Sequence, residues 1–166
     1  MAVAGTTRRS GWALCAAWAL ALAGAACSSE ATLVAVGDEE VIEEVTFAPS
    51  LNIDLASMTR LPSGVYIKDL AVGSPEGEAL ALGMRADVHF TGWLRTGVQF
   101  TQGDHSFLMG NSEVILGFEQ GLMGMRKGGT RLMIIPPALA WGAQGASSVP
   151  PGAIVIFEAD LTSVNP

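Results

Sequence analysis

Cysteine, tyrosine and positive charge are scarce in this sequence. Of 166 residues, two are Cys, one is Tyr and nine are Lys or Arg, against sixteen Asp and Glu, for a formal net charge of −7. Two cysteines, Cys15 and Cys27, can build neither a disulfide framework nor a four-ligand zinc site, and both stand near the N-terminus. Neither a metal nor a cofactor is therefore expected. An acidic chain is repelled by phosphates, which counts against nucleic acid as a partner. What is present is a hydrophobic content of 49%, enough for one core, in a length that suits about one domain and a tail. Twenty glycines point to many turns and strand kinks.

The N-terminus reads as an export signal. Arg8-Arg9 gives a basic start, and the sixteen residues Gly11 to Ala26 form an apolar run rich in Ala, Leu and Trp. That run is short of the roughly 20 residues a membrane-spanning helix needs and suits a secretory signal peptide over residues 1–26. It ends in Gly24-Ala25-Ala26-Cys27, and small residues directly before a cysteine resemble a bacterial lipoprotein signal. That resemblance implies lipidation of Cys27, which would anchor the chain to a bacterial membrane on its periplasmic or cell-surface side. Gly24 departs from the Leu usual three places before the cysteine. Arg8-Arg9 also matches twin-arginine export, although Ser10-Gly11-Trp12 fits that pattern poorly.

From Glu30 to Thr59 there are seven acids and no Lys or Arg, a one-signed stretch typical of a solvated tether or exposed face. Val41, Ile42, Val45, Phe47, Leu51, Ile53, Leu55 and Met58 are too many apolar residues for a pure linker. Residues 28–40 therefore read as tether and 41–60 as an extension packed on a domain that spans 61–166.

Beyond Leu61 the pattern is strand, turn, strand. Val65 to Leu70 follows the turn residues Pro62-Ser63-Gly64, and Arg85 to Leu94 reads as a second strand. Thr96-Gly97 turns the chain into Val98 to Thr101 as a hairpin. Val114, Ile115, Phe118 and Leu122 share one face of a short helix expected over 113–123, capped by Asn111-Ser112 and ended by Gly124 or Gly128. Thr130 to Ile135 and Ile154 to Leu161 are further strands, separated by a Pro/Gly/Ala loop from Pro136 to Pro151. Strands flanking one short helix give an α+β fold with an antiparallel sheet.

Ordered motifs along this stretch carry more than a fold class. They run Val88-His89-Phe90-Thr91-Gly92, Gly97-Val98-Gln99-Phe100 and Glu113-Val114-Ile115-Leu116-Gly117-Phe118-Glu119-Gln120-Gly121-Leu122. Then come Met125-Arg126-Lys127-Gly128-Gly129, Ile135-Pro136-Pro137, Ala140-Trp141-Gly142 and Val149-Pro150-Pro151, leading to Ile156-Phe157-Glu158. In order and spacing the chain from about Leu61 to Val164 resembles the FKBP-type peptidyl-prolyl cis-trans isomerases. The resemblance implies a five- or six-stranded antiparallel sheet curled around one short helix, with an apolar pocket between them. It also implies Pro-containing polypeptides as substrates and macrolides as possible ligands.

By position the resemblance assigns the catalytic shell to Phe90, Phe100, Val114, Ile115, Phe118, Trp141 and Phe157, with Thr101, Glu113 and Val149 binding substrate. Ile115 would supply a backbone N–H and Glu113 a backbone carbonyl. Phe118 takes the place of a common tryptophan, while Trp141 and Phe90 take those of common tyrosines. After Phe100 the family typically has Asp where this chain has Thr101, and His105 stands where a pocket aromatic is frequent. An isomerase of reduced activity is therefore expected, with a peptide-binding or chaperone module of little turnover as the alternative.

Other chemistries find less support. His89 lies on a strand with no spaced second ligand and reads as an ordinary strand histidine. Ser147-Ser148, His105 and Asp104 lack the Gly-x-Ser-x-Gly elbow of a hydrolase. Lys127-Gly128-Gly129-Thr130 lacks the glycine pattern of a phosphate loop, and a β-turn accounts for it.

Overall fold

Alternating burial lays down a six-stranded sheet in the computed structural model, which describes residues 40–166. The strands are β1 (Thr59–Arg60), β2 (Tyr66–Val72), β3 (Arg85–Leu94), β4 (Gln99–Leu108), β5 (Gly129–Ile135) and β6 (Val155–Asn165). Among the described residues one α-helix, α1 (Leu116–Leu122), connects β4 to β5. All neighbours are antiparallel, in the order β1-β2-β5-β6-β3-β4, so the last strand inserts between β5 and β3. This is the α+β architecture the sequence pattern implied.

Both faces of the middle strands are apolar, and two layers cover them. On the inner face Val155, Phe157, Ala159 and Leu161 of β6 join Met133 and Ile135 of β5 against Phe118 and Leu122 of α1. On the outer face Tyr66, Ile134, Ile156 and Trp93 form one cross-strand row, by the registers of β2, β5, β6 and β3. Residues 42–58 lie over that row: Ile42 is buried there, and Val45, Phe47, Leu51, Ile53, Leu55 and Met58 pack beside it. Apolar surface removed from water stabilises by about 25 cal/mol per Å², so buried Ile42 and the partly buried side chains beside it hold the extension on the sheet.

The sequence pattern misplaced several element boundaries: β2 runs on to Val72 and β6 to Asn165, and the helix start and β4 differ as well. The helix begins at Leu116 instead of Glu113; Ile115 is its N-cap, extended at φ −60° and ψ 142°, with no side-chain cap bond. Asn111-Ser112 does not cap it, because Ser112 sits at φ 56° and turns the chain before Val114. Strand β4 runs on from Thr101 to Leu108, paired with β3 along its whole length. Its polar residues face solvent at the sheet edge, where the apolar period is weakest. At the other end of the helix Gly124 adopts φ 79° and its N–H donates to the Leu80 carbonyl at 2.9 Å.

The extension is fixed to β2 by a small polar cluster. The Tyr66 hydroxyl donates to Glu43 Oε1 at 2.6 Å, and Arg60 Nε lies 3.3 Å from the same oxygen. The Tyr66 hydroxyl, followed by Glu43's own N–H and then Arg60, holds the Glu43 carboxyl below its ordinary range; the same bond raises the tyrosine. A carboxyl depressed by folding stabilises the fold above its unfolded pKa and loses that effect as pH falls through the folded value. Tyr66→Phe should therefore lower the melting temperature by on the order of 4 °C near pH 7, for a bond of about 1 kcal/mol at a half-exposed carboxylate. The deficit should shrink as pH falls below about 4, where Glu43 protonates first in the unfolded chain and then, at lower pH, in the folded one. Thermal melts of both proteins across pH check this, and a deficit independent of pH would contradict it.

Candidate functional site

A single glycine opens the inner face. Across five strands one row reads Ile67, Met133, Phe157, Gly92, Thr101. A Cβ on Gly92 would stand 2.7 Å from both Phe157 Cε1 and Thr101 Cγ2, and 2.9 Å from Phe100 Cζ. Without one, aromatic rings converge over the strand. Phe118 and Phe157 meet edge to face at 5.2 Å, Phe100 and Phe157 at 5.6 Å, and Phe90 lies 5.9 Å from Phe118. Trp141, from the loop after β5, stands perpendicular to Phe100 at 5.8 Å. These rings floor and wall a cavity of about 610 Å³ between α1 and the sheet, within the usual range for a small-ligand site.

The rim is polar. Val114 lies in a bend and Ile115 is extended as the chain approaches the helix, and both line the cavity. The Ile115 carbonyl accepts the Phe118 N–H at 3.0 Å, whereas among the described residues the Ile115 N–H donates to no backbone carbonyl. Glu113 lies beside them, its side chain accepting from the Asn111 amide at 2.7 Å. That hydrogen bond is the main cause of a lowered Glu113 carboxyl, with Arg85 and His105 adding to it, so the rim carries an anion. Thr101 and His105 complete the β4 side, His105 stacking on Phe107 at 5.8 Å. Ala146, Ser147, Ser148 and Val149 close the opposite side.

All ten residues singled out from the sequence, from Phe90 to Phe157, line this one cavity. Cys27 lies outside the described residues. Asp104, the acid nearest to Thr101 in the chain, points to the outer face and pairs with His89 Nδ1 at 2.9 Å. Ser147 and Ser148 read as plain loop in the sequence yet stand at the rim. The Ala146 N–H donates to the Val149 carbonyl at 2.8 Å in a tight turn after Gly145, at φ 65°. Only the Gly-then-Pro-Pro punctuation around them hinted at so sharp a bend. Among the described residues neither serine is hydrogen-bonded to His105, and no cluster of three His, Cys, Asp or Glu could hold a metal ion.

Two contacts hold α1 in place over the cavity. Gly117 and Gly121 let the helix lie directly on β5, since Cβ atoms there would come within 2.2 Å of Ile135 Cγ2 and 2.3 Å of Met133 Sδ. Buried Arg131 then ties the far end, donating to the Gly121 carbonyl at 2.7 Å and the Met123 carbonyl at 3.1 Å while pairing with Asp69 at 2.6 Å. A cation at a helix C-terminus satisfies orphan carbonyls and complements the dipole.

An aromatic cleft with an open backbone N–H at its rim, and no assembled nucleophile and base, suits a protein that grips a peptide and acts on its conformation. Comparison with known proteins agrees. The profile of the FKBP-type peptidyl-prolyl cis-trans isomerases matches residues 77–162. The chain is 33% identical over 133 residues to the peptidyl-prolyl cis-trans isomerase FKBP15-3 of Arabidopsis thaliana, covering 76% of this chain and 93% of the relative. It is 37% identical over 107 residues to the FK506-binding protein of Neisseria meningitidis serogroup B, covering 61% and 96%. Among solved structures, FkpA from Escherichia coli superposes with a TM-score of 0.62 at 27% identity, over 71% of this chain and 55% of that one. The chain belongs to the FKBP-type peptidyl-prolyl cis-trans isomerase family and is an isomerase of that kind.

Proposed function

We propose that this isomerase assists the folding of exported proteins, turning over X-Pro bonds in the cleft between α1 and the sheet. The observation that carries the reading is the convergence of Phe90, Phe100, Phe118, Phe157 and Trp141 beneath the Ile115 N–H.

An X-Pro bond interconverts slowly because its partial double bond must be twisted, against a barrier of about 18–20 kcal/mol. No nucleophile or proton donor is needed. A twisted amide has lost resonance, so its carbonyl carries less charge than the planar form and tolerates a dry aromatic site better. Such a cleft binds the transition state more tightly than the ground state, which is what accelerates a reaction. Ile115 N–H holds a substrate carbonyl, and the Glu113 carbonyl holds the chain beside it. The walls suit a bulky apolar residue before proline. Macrolides of the kind named in the FK506-binding relatives would occupy the same apolar volume.

Thr101 favours a second reading, a module that binds peptides with little turnover. It lines the cavity where the family pattern has Asp, and no other acid replaces it on the floor. A neutral hydrogen bond is worth ~1 kcal/mol against ~1.5–3 for a charged one, so on the order of a tenfold loss of turnover follows, and abolition does not. Desolvation and the Ile115 N–H both survive the exchange.

The cleft is tested by a coupled cis/trans assay on Pro tetrapeptides. Trp141→Ala should nearly eliminate activity in a folded protein, Thr101→Asp should raise it about tenfold, and Leu-Pro should outrun Lys-Pro and Glu-Pro. A wild type no faster than the uncatalysed rate that still binds peptides would establish the binding module.

Export and anchoring form a separate part of the proposal. Cys27 is lipidated and the residues after it tether the domain to a membrane surface, as the small residues before the cysteine suggest. Glu40, which the sequence pattern put at the end of the tether, is bonded to the domain and belongs with the extension. No helix among the described residues is long and apolar enough to cross a membrane. Cys27→Ser should move the protein from the membrane fraction to the soluble fraction. Retention at wild-type levels would discard the lipid anchor.

A further inference from the structure

The two walls of the cleft belong to different parts of the chain. Phe100 stands at the start of β4, just past the β3–β4 turn of residues 95–98. Trp141 and Val149 belong to the loop of residues 136–153. At the mouth the walls meet edge to face, Phe100 on Trp141 at 5.8 Å.

Behind the mouth one side chain joins both. Glu40 Oε1 is paired with Arg95 Nε in the β3–β4 turn. Its other oxygen accepts the Ile154 N–H at 2.9 Å, where the loop enters β6. The Glu40 N–H donates to the Gly152 carbonyl at 2.9 Å, and the Gly152 N–H donates to the Gly142 carbonyl, also at 2.9 Å, directly beside Trp141. A second contact braces the turn. The Ala48 N–H donates to the Arg95 carbonyl at 2.8 Å, and Gly97, at φ 84°, is approached so closely that a Cβ would lie 2.8 Å from Ser50 Oγ. Both contacts come from the extension, outside the residues 77–162 that define the family match.

We propose that Glu40 is a positioning residue for the isomerase, a tie that fixes the spacing of the Phe100 and Trp141 walls. It touches no substrate. An ion pair at a partly exposed site adds little to stability, but small displacements of groups that orient a substrate cost far more in rate than in folding energy. The extension thereby shapes the cleft as well as covering the outer face. This inference rests on the reading of the cleft as the prolyl-peptide site.

The test uses the full chain with Glu40→Ala, Arg95→Met, the double variant and Glu40→Gln. On a Leu-Pro tetrapeptide, below any melting transition, Glu40→Ala should raise KM about three- to tenfold with kcat changed less. Arg95→Met should do the same in smaller measure. The double variant should be no worse than Glu40→Ala alone, since both substitutions cut one tie. Glu40→Gln keeps an oxygen for the Ile154 N–H and should recover part of the loss. By NMR the Ile154 amide should lose protection from exchange and the Trp141 indole resonance should shift or broaden in Glu40→Ala. A lowered melting temperature with unchanged KM and an unchanged Trp141 resonance would overturn the proposal, and so would additive effects in the double variant. Trp141→Ala, measured alongside, separates the two levels: if it too leaves activity intact, the reading of the cleft fails with this one, whereas its loss beside a normal Glu40→Ala sinks the tie alone.

Discussion

Helix α1 can lie on β5 only at backbone distance, and the active cleft depends on that contact. Gly117 and Gly121 fall four residues apart on the face turned to the sheet, where any side chain would collide with Ile135 and Met133. With the helix seated there, Phe118 enters the ring cluster and Ile115 stays extended at the rim. Arg131 secures the opposite end by taking the Gly121 and Met123 carbonyls. A helix of two turns has little intrinsic stability of its own, so its position is set by packing. Gly92 does the complementary work in the sheet, leaving room for Phe100, Phe157 and Thr101 to converge. Glycines thus govern the depth of the cleft from above and from below.

The outer face obeys a different constraint. An antiparallel sheet can leave one face in water, but here Tyr66, Ile134, Ile156 and Trp93 make that face apolar across four strands. It needs a cover, and the extension supplies one while its acids stay at the margins. Two of them are structural: Glu43 accepts from Tyr66, and Glu40 accepts from Ile154 and pairs with Arg95. One-signed charge over an apolar pattern is the composition expected of a strap, apolar side chains inward and carboxylates at the edge. On the same face of β3, His89 stands between Asp104 and Asp160 in register, a polar patch that needs no cover.

Much of this was legible in the sequence, for physical reasons that differ by region. The strands β3, β5 and β6 announce themselves because burial imposes an apolar period, and the ordered motifs from Val88 to Phe157 fixed the cleft residues. The start of α1 was not legible: Val114 and Ile115 fall at helical spacing with Phe118, yet Ser112 at φ 56° turns the chain and leaves both outside the helix, Ile115 extended at its N-cap. The far half of β4 was hidden because Gln102, Asp104 and Ser106 sit at a solvent-facing edge, where pairing with β3 alone decides the conformation. Glu40's partners, Arg95 and Ile154, lie 55 and 114 residues away, a separation over which no periodicity carries information.

The central claim is that the aromatic cleft under Ile115 is where a prolyl bond turns over. Titration of the labelled protein with a Leu-Pro tetrapeptide, followed by NMR, tests it directly. Turnover in the cleft requires the largest shifts at the Ile115 amide and the Trp141 indole, with exchange peaks linking cis and trans peptide at rates above the uncatalysed one. Shifts confined to the exposed apolar side chains Leu70 and Val72 of β2, or binding at the cleft without exchange between the peptide isomers, would contradict it.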